Sequence, residues 1–109
     1  MKVTFENELA ARPELRLLAE AATPMLEADL ESAAARVSVT WGLRFDSKRR
    51  PIIRLTIADW SGEATADFAP AELDPPENAR LRLIRLWGDL LQETSRRQIK
   101  ALEALPESE

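Results

Sequence analysis

The side chains that could do chemistry in this sequence are carboxylates, arginines, three lysines and hydroxyls, because its 109 residues include no histidine, cysteine or tyrosine. Histidine is the usual general base near neutral pH, and cysteine is the usual soft nucleophile. These two residue types also form most transition-metal sites. Gly42, Gly62 and Gly88 are isolated, so a glycine-rich phosphate loop is excluded. The composition predicts a non-enzymatic protein without a cofactor, a metal site or a small-molecule ligand.

Five basic residues cluster around one predicted turn. Lys48, Arg49 and Arg50 form its tip, and Arg44 and Arg54 lie on the polar face of the flanking strands. A solvated turn explains such a cluster without any further function, and this interpretation is favoured. The alternative is a nucleic-acid contact with about three to five phosphate partners. On the polar face no aromatic residue is interleaved with these charges apart from the distant Trp60, and the net charge of −4 argues against tight non-specific binding.

Charge and hydropathy predict one soluble domain. The N-terminal residues 1–6 contain no apolar stretch of the kind found in signal peptides, and no apolar run approaches the ~18 residues of a membrane span. Without cysteine no disulfide can form, which fits a reducing compartment. We therefore expect a cytoplasmic protein with a single domain covering residues 1–109.

Alternation of apolar and polar residues predicts three strands at about 37–45, 52–59 and 63–69. The dipeptide Ser61-Gly62 predicts a two-residue turn in which glycine supplies a positive φ. The resulting register places Ile57 opposite Ala66 and puts all apolar residues of the hairpin on one face. It also places Arg54 diagonal to Asp67, as a surface ion pair.

Helical spacing predicts helices over residues 12–35 and about 75–105, with a tail at 106–109. We favour a break at Pro24, with Thr23 as the cap of a second short helix, over one kinked helix. Asp74 resembles a strong helix cap, and the apolar stripe of the long helix is centred on Trp87. Whether residues 2–6 add an edge strand is left open.

The predicted fold is therefore an α+β two-layer sandwich with the order α-β-β-β-α. A three-stranded antiparallel meander has one apolar face, which the N-terminal helical segment and the long C-terminal helix cover.

Three apolar residues do not fit a simple core. Trp60 falls on the polar face beside the predicted turn, where it is either a partner anchor or a local packing residue. Leu81 and Ile99 lie about 120° from the stripe of the long helix. They face either the first helical segment or a partner helix, most simply a second copy of the chain. The sequence thus predicts a protein-interaction or adaptor module that could form a homodimer, with nucleic-acid binding as the alternative.

The segment Phe68-Ala69-Pro70-Ala71-Glu72-Leu73 leads from a strand through a proline-containing turn into the last long helix. In this feature, and in element order, length and acidity, residues 37–105 resemble the YbaB/EbfC nucleoid-associated proteins. The glycine-rich first hairpin of that family is missing here. The resemblance implies a DNA-binding dimer.

Overall fold

A computed structural model describes residues 1–60 and 62–104, including the side chains in these ranges except those of residues 93–94 and 97–104. The chain has an α+β fold, in which helices pack on one face of a four-stranded sheet. Strands and helices are numbered in chain order as β1 Lys2–Phe5, α1 Asn7–Ala10, α2 Pro13–Leu30, β2 Ser38–Phe45, β3 Pro51–Asp59, β4 Gly62–Phe68 and α3 Arg80–Ala104. Short 3₁₀ helices occupy Glu31–Arg36, Pro70–Leu73 and Pro76–Ala79.

The sheet has the order β1-β2-β3-β4, and β1 runs parallel to β2 whereas the other pairs are antiparallel. The predicted three-stranded antiparallel meander is therefore wrong in strand number, because residues 2–5 form a fourth strand. Val3 lies opposite Val39 and Phe5 opposite Trp41, so β1 continues the apolar pattern of β2. The parallel orientation is possible because the helical connection between β1 and β2 is long enough to return the chain across the sheet.

The predicted register of the β3–β4 hairpin is wrong by two residues. Ile57 pairs with Ala64 rather than with Ala66. Because side chains alternate with a period of two, this shift leaves every residue on its predicted face. It also brings Arg54 directly opposite Asp67 instead of diagonal to it.

The turn that closes this hairpin differs from the predicted one. Asp59 pairs with Gly62, and the Asp59 carboxylate accepts a hydrogen bond from the Gly62 backbone N–H at 3.2 Å. Gly62 is therefore the first residue of β4 rather than part of the turn. Ser61, the other residue of the expected turn, lies outside the described residues. By accepting the Gly62 N–H, the Asp59 carboxylate links the end of β3 to the start of β4.

The core lies between the sheet and the helices, as the alternation predicts. Trp41, Leu55 and Phe68 are fully buried, and the strand register places them on the same face. The helices contribute apolar residues to the same cluster, among them Leu9, Leu15, Ala19, Ala22, Leu26, Leu83, Leu86 and Leu90.

The predicted break at Pro24 is absent, because α2 continues from Pro13 to Leu30. Proline has no N–H for the helical hydrogen bond and normally interrupts a helix. Here the Thr23 hydroxyl donates to the Ala19 carbonyl at 2.8 Å and accepts the indole N–H of buried Trp41 at 3.0 Å. This contact to the sheet holds the helix in place at the proline. The helical path changes only after Leu30, where Glu31 adopts a positive φ of 52°.

The predicted helix start at Asp74 is also wrong, since α3 begins at Arg80. The side-chain capping interaction occurs earlier in the chain, where the Glu72 carboxylate accepts the Ala69 N–H at 2.8 Å. Leu73 and Ala79 are fully buried on either side of Asp74. Burial of these two anchors keeps the intervening segment in short 3₁₀ turns and overrides the local helix signal.

Thr23→Val tests the link between α2 and the sheet. The substitution preserves shape but leaves the buried Trp41 N–H without an acceptor, so we expect the free energy of unfolding to fall by about 1–3 kcal/mol. Thr56→Val, which removes a solvent-exposed hydroxyl from β3, should change it by less than about 0.5 kcal/mol. Urea unfolding followed by tryptophan fluorescence measures both. Equal losses in the two variants would contradict the assigned role of Thr23.

Candidate functional site

Helix α3 packs on the core through one side and faces solvent on the other. Leu83, Leu86 and Leu90 are buried, whereas Leu81 is 82% exposed. Nine residues separate Leu81 from Leu90, which places them about 180° apart around the helix. The predicted stripe centred on Trp87 is therefore rotated from the observed one. The prediction averages over apolar positions as far as residue 105, several of whose side chains lie outside the described part of the structure.

The rotation of α3 is fixed by Arg82. Its guanidinium stacks on the Phe68 ring at 4.3 Å and donates to the Glu72 carboxylate at 2.5 Å. It also donates to the Asp67 backbone carbonyl. These contacts tie the first turn of α3 to the end of β4. Residues on the opposite side of the helix are consequently held toward solvent.

Four positions define what we call the outer α3 surface: Leu81, Ile84, Gly88 and Leu91. Their spacings of three, four and three residues place them along one side of the helix. Ile84 is 45% exposed and Leu91 is 46% exposed. At Gly88 an added Cβ would meet nothing within 4 Å, so the middle of this surface is open. The result is a continuous apolar strip with a flat centre.

Trp60 extends this surface onto the sheet. It sits in the β3–β4 connection and is 72% exposed, as its position on the polar side of the turn predicts. Trp60, Trp87 and Leu91 line the same cavity of about 200 Å³. Trp87, expected in the core, is only half-buried and forms the boundary between the core and this cavity. The outer α3 surface and Trp60 are thus joined through Leu91.

Of the three candidate partner-binding residues, Trp60 and Leu81 are exposed. The side chain of Ile99 lies outside the described part of the structure, although its backbone belongs to α3. Ile84 and Leu91 were missed because the misplaced stripe assigned them to the core. Their exposure could have been identified because the apolar positions of the predicted helix extend far around its circumference on either side of Trp87. One side of a helix cannot bury all of these positions.

The basic cluster around the β2–β3 turn is largely neutralised by carboxylates. Arg44 pairs with Glu6 at 3.2 Å. Arg54 donates two hydrogen bonds to Asp67, at 2.8 and 3.1 Å. The Arg54 guanidinium holds the pKa of the Asp67 carboxyl below its ordinary value. Two of the five candidate nucleic-acid-binding residues are therefore engaged on the polar face of the sheet.

The tip of the same hairpin is organised by Asp46. Its carboxylate accepts the backbone N–H groups of Lys48 and Arg50 and the Arg50 side chain, each at 2.8 Å. These bonds, the Arg50 backbone contact first, lower the pKa of Asp46. Arg49 adopts a positive φ of 61°, as tight turns require. Of the five candidate nucleic-acid-binding residues, Lys48 and Arg49 lack a carboxylate partner within the described residues, which is a weak basis for a phosphate-binding surface.

Carboxylate oxygens are the ligands that hard cations such as Ca²⁺ and Mg²⁺ prefer. Within residues 1–60 and 62–104, no group of three or more acidic side chains is placed to hold a metal ion. Asp59, the last residue of β3, is half-buried, and its carboxylate accepts the Gly62 backbone N–H.

Comparisons with protein-family models, with curated proteins and with solved structures find no match to this chain. The resemblance to the YbaB/EbfC proteins therefore stays a prediction. Within the described residues, no helix combines the length and apolar character needed to cross a bilayer.

Asp67→Asn tests the cross-strand ion pair. Because the folded-state pKa of Asp67 is lowered, its stabilising effect is present above the unfolded pKa of about 3.9 and is lost as the pH falls through the folded value. Both side chains are partly exposed, so we expect a loss of less than about 1 kcal/mol in the free energy of unfolding at pH 7. Urea titrations at pH 7, 5 and 3 should show the difference from the parent closing only below pH 4. A difference independent of pH would contradict the assignment.

A salt series tests the nucleic-acid alternative. With two basic side chains left at the tip, the slope of log K against log salt can reach only about −2, which predicts no retention of a DNA duplex in a gel-shift assay near physiological salt. Tight binding with a steeper slope, abolished by Lys48→Glu with Arg49→Glu, would instead support nucleic-acid recognition by this hairpin.

Proposed function

We propose that this protein is a non-enzymatic interaction module that binds a protein partner through the outer α3 surface and Trp60. One observation carries the proposal: Leu81, Ile84 and Leu91 project to solvent from one side of a helix whose opposite side is fully used in the core. Large contiguous apolar patches are uncommon on soluble monomers and mark interaction sites.

The number of apolar side chains on this surface limits the affinity with which it can bind a partner. Full burial of a leucine-sized side chain stabilises a complex by about 1.5–3 kcal/mol. Association itself costs about 4–15 kcal/mol in lost freedom and ordering. Three aliphatic side chains alone therefore support only weak binding. Trp60 supplies the additional area, since tryptophan is enriched among residues that dominate binding energy.

The surface is also preorganised. Arg82 ties the start of α3 to β4, and Arg80 pairs with Asp29 of α2 at 3.4 Å. Leu83, Leu86 and Leu90 hold the same stretch of helix against the core. A rigid helix loses little conformational entropy on binding, so most of the free energy of burial is available for affinity.

Leu81→Glu and Ile84→Glu test this function. Both side chains are exposed, so we expect the fold to persist while proteins that co-purify with the parent are reduced at least about tenfold. Leu17→Glu is the matched control, since Leu17 is 59% exposed on α2, away from this surface. Quantitative mass spectrometry of affinity-purified, cross-linked material measures the difference. Equal recovery of partners from all three variants would refute the proposed function.

A further inference from the structure

We infer that the partner of the outer α3 surface is a second copy of this chain, bound with the two α3 helices antiparallel and crossing beside Gly88. The inference rests on the proposed function and names its partner. Three features of α3 are self-complementary in this one arrangement: its apolar pair, its charged pair and its glycine.

The apolar pair sets the position of the two-fold axis. In an antiparallel pair of identical helices, two residues face each other when the axis passes midway between them. Ile84 and Leu91 have their midpoint between Trp87 and Gly88. An axis there places Ile84 against Leu91 of the second copy and, by symmetry, Leu91 against Ile84 of the second copy. The most exposed aliphatic groups in the middle of α3 are then covered.

The charged pair requires nearly the same axis. Arg85 and Asp89 are exposed, and neither has an ion-pair partner within the described residues. At 100° per residue they lie on the flank of the outer α3 surface opposite to Ile84 and Leu91. Their midpoint is residue 87, which is half a residue, or about 0.75 Å, from the axis set by the apolar pair. Two independent pairs therefore indicate one axis.

Symmetry makes the charges complementary only in the antiparallel arrangement. A two-fold axis perpendicular to the helices brings each flank against the same flank of the second copy. Arg85 then faces Asp89 of the second copy, twice. An axis parallel to the helices would bring the charged flank against the apolar flank and would place Arg85 beside Ile84. Charge patterning of this kind fixes the register and orientation of paired helices.

Gly88 lies at the crossing point. A glycine inside a helix is destabilising by about 1 kcal/mol relative to alanine. Within a single copy nothing requires it, because an added Cβ would meet nothing within 4 Å. At the crossing of two helices the absence of a side chain permits close approach of the backbones. A second copy thus accounts for a residue that the single chain does not explain.

Charge exchange tests the pairing. Arg85→Glu places two carboxylates together, since the new side chain faces Asp89 of the second copy, and Asp89→Arg places two guanidinium groups together. Each variant should therefore self-associate at least about tenfold more weakly than the parent. An equimolar mixture of the two variants restores both opposite-charge pairs, so it should associate with an affinity close to that of the parent. Sedimentation equilibrium at low salt measures all four samples.

Arg16→Glu and Glu20→Arg form the matched control, since Arg16 and Glu20 are an exposed pair with the same spacing on α2. We expect these two variants to self-associate like the parent. A parent that stays monomeric at millimolar concentration, or a mixture as weak as its components, would overturn the inference. If the parent is monomeric and Leu81→Glu loses the other proteins that bind the parent, self-pairing alone is overturned. If the parent is monomeric and Leu81→Glu still binds those proteins, the proposed function is refuted as well.

Discussion

Covering the single apolar face of the sheet is the constraint on which the rest of the structure depends. Trp41 lies fully buried in β2 and is reached from above by Thr23 of α2. At the other end of the sheet, Phe68 is buried beneath the Arg82 guanidinium at the start of α3. These contacts fix the position of α2 and the rotation of α3. The rotation of α3 decides which of its side chains remain exposed to solvent.

More of α3 is apolar than the sheet can cover. Leu86 and Leu81 lie on different sides of the helix, and only the side with Leu86 contacts the core. A helix that served only as a lid would carry polar residues on its outer side. The apolar outer side is costly in water, and this cost disappears when another surface covers it. The fold therefore completes its own core and leaves a second, smaller apolar surface exposed to solvent on α3.

The three antiparallel strands could be predicted from the sequence to within one or two residues, because alternation requires only that one face be buried. The hairpin register could not, since the Asp59 carboxylate accepts the Gly62 N–H, a contact that leaves no periodic signal in the sequence. The start of α3 was misplaced for a related reason. Asp74 has the local chemistry of a cap, but burial of Leu73 and Ala79 outweighs it. Pro24 was mispredicted because Trp41, distant in sequence, secures the helix there.

The candidate site was only partly accessible to sequence reasoning. The exposure of Leu81 could be predicted because this residue lies outside the apolar stripe of the helix. The exposure of Ile84 and Leu91 could not, because it depends on the rotation of α3 that the Arg82 contacts impose. The basic hairpin was overestimated because its carboxylate partners come from other parts of the chain: Glu6, which pairs with Arg44, lies 38 residues away. Once these pairs form, most of the positive charge is balanced within the molecule. Arg44 and Arg54 on the polar sheet face are then paired with carboxylates, whereas the apolar side chains of Leu81, Ile84 and Leu91 on α3 stay exposed to solvent.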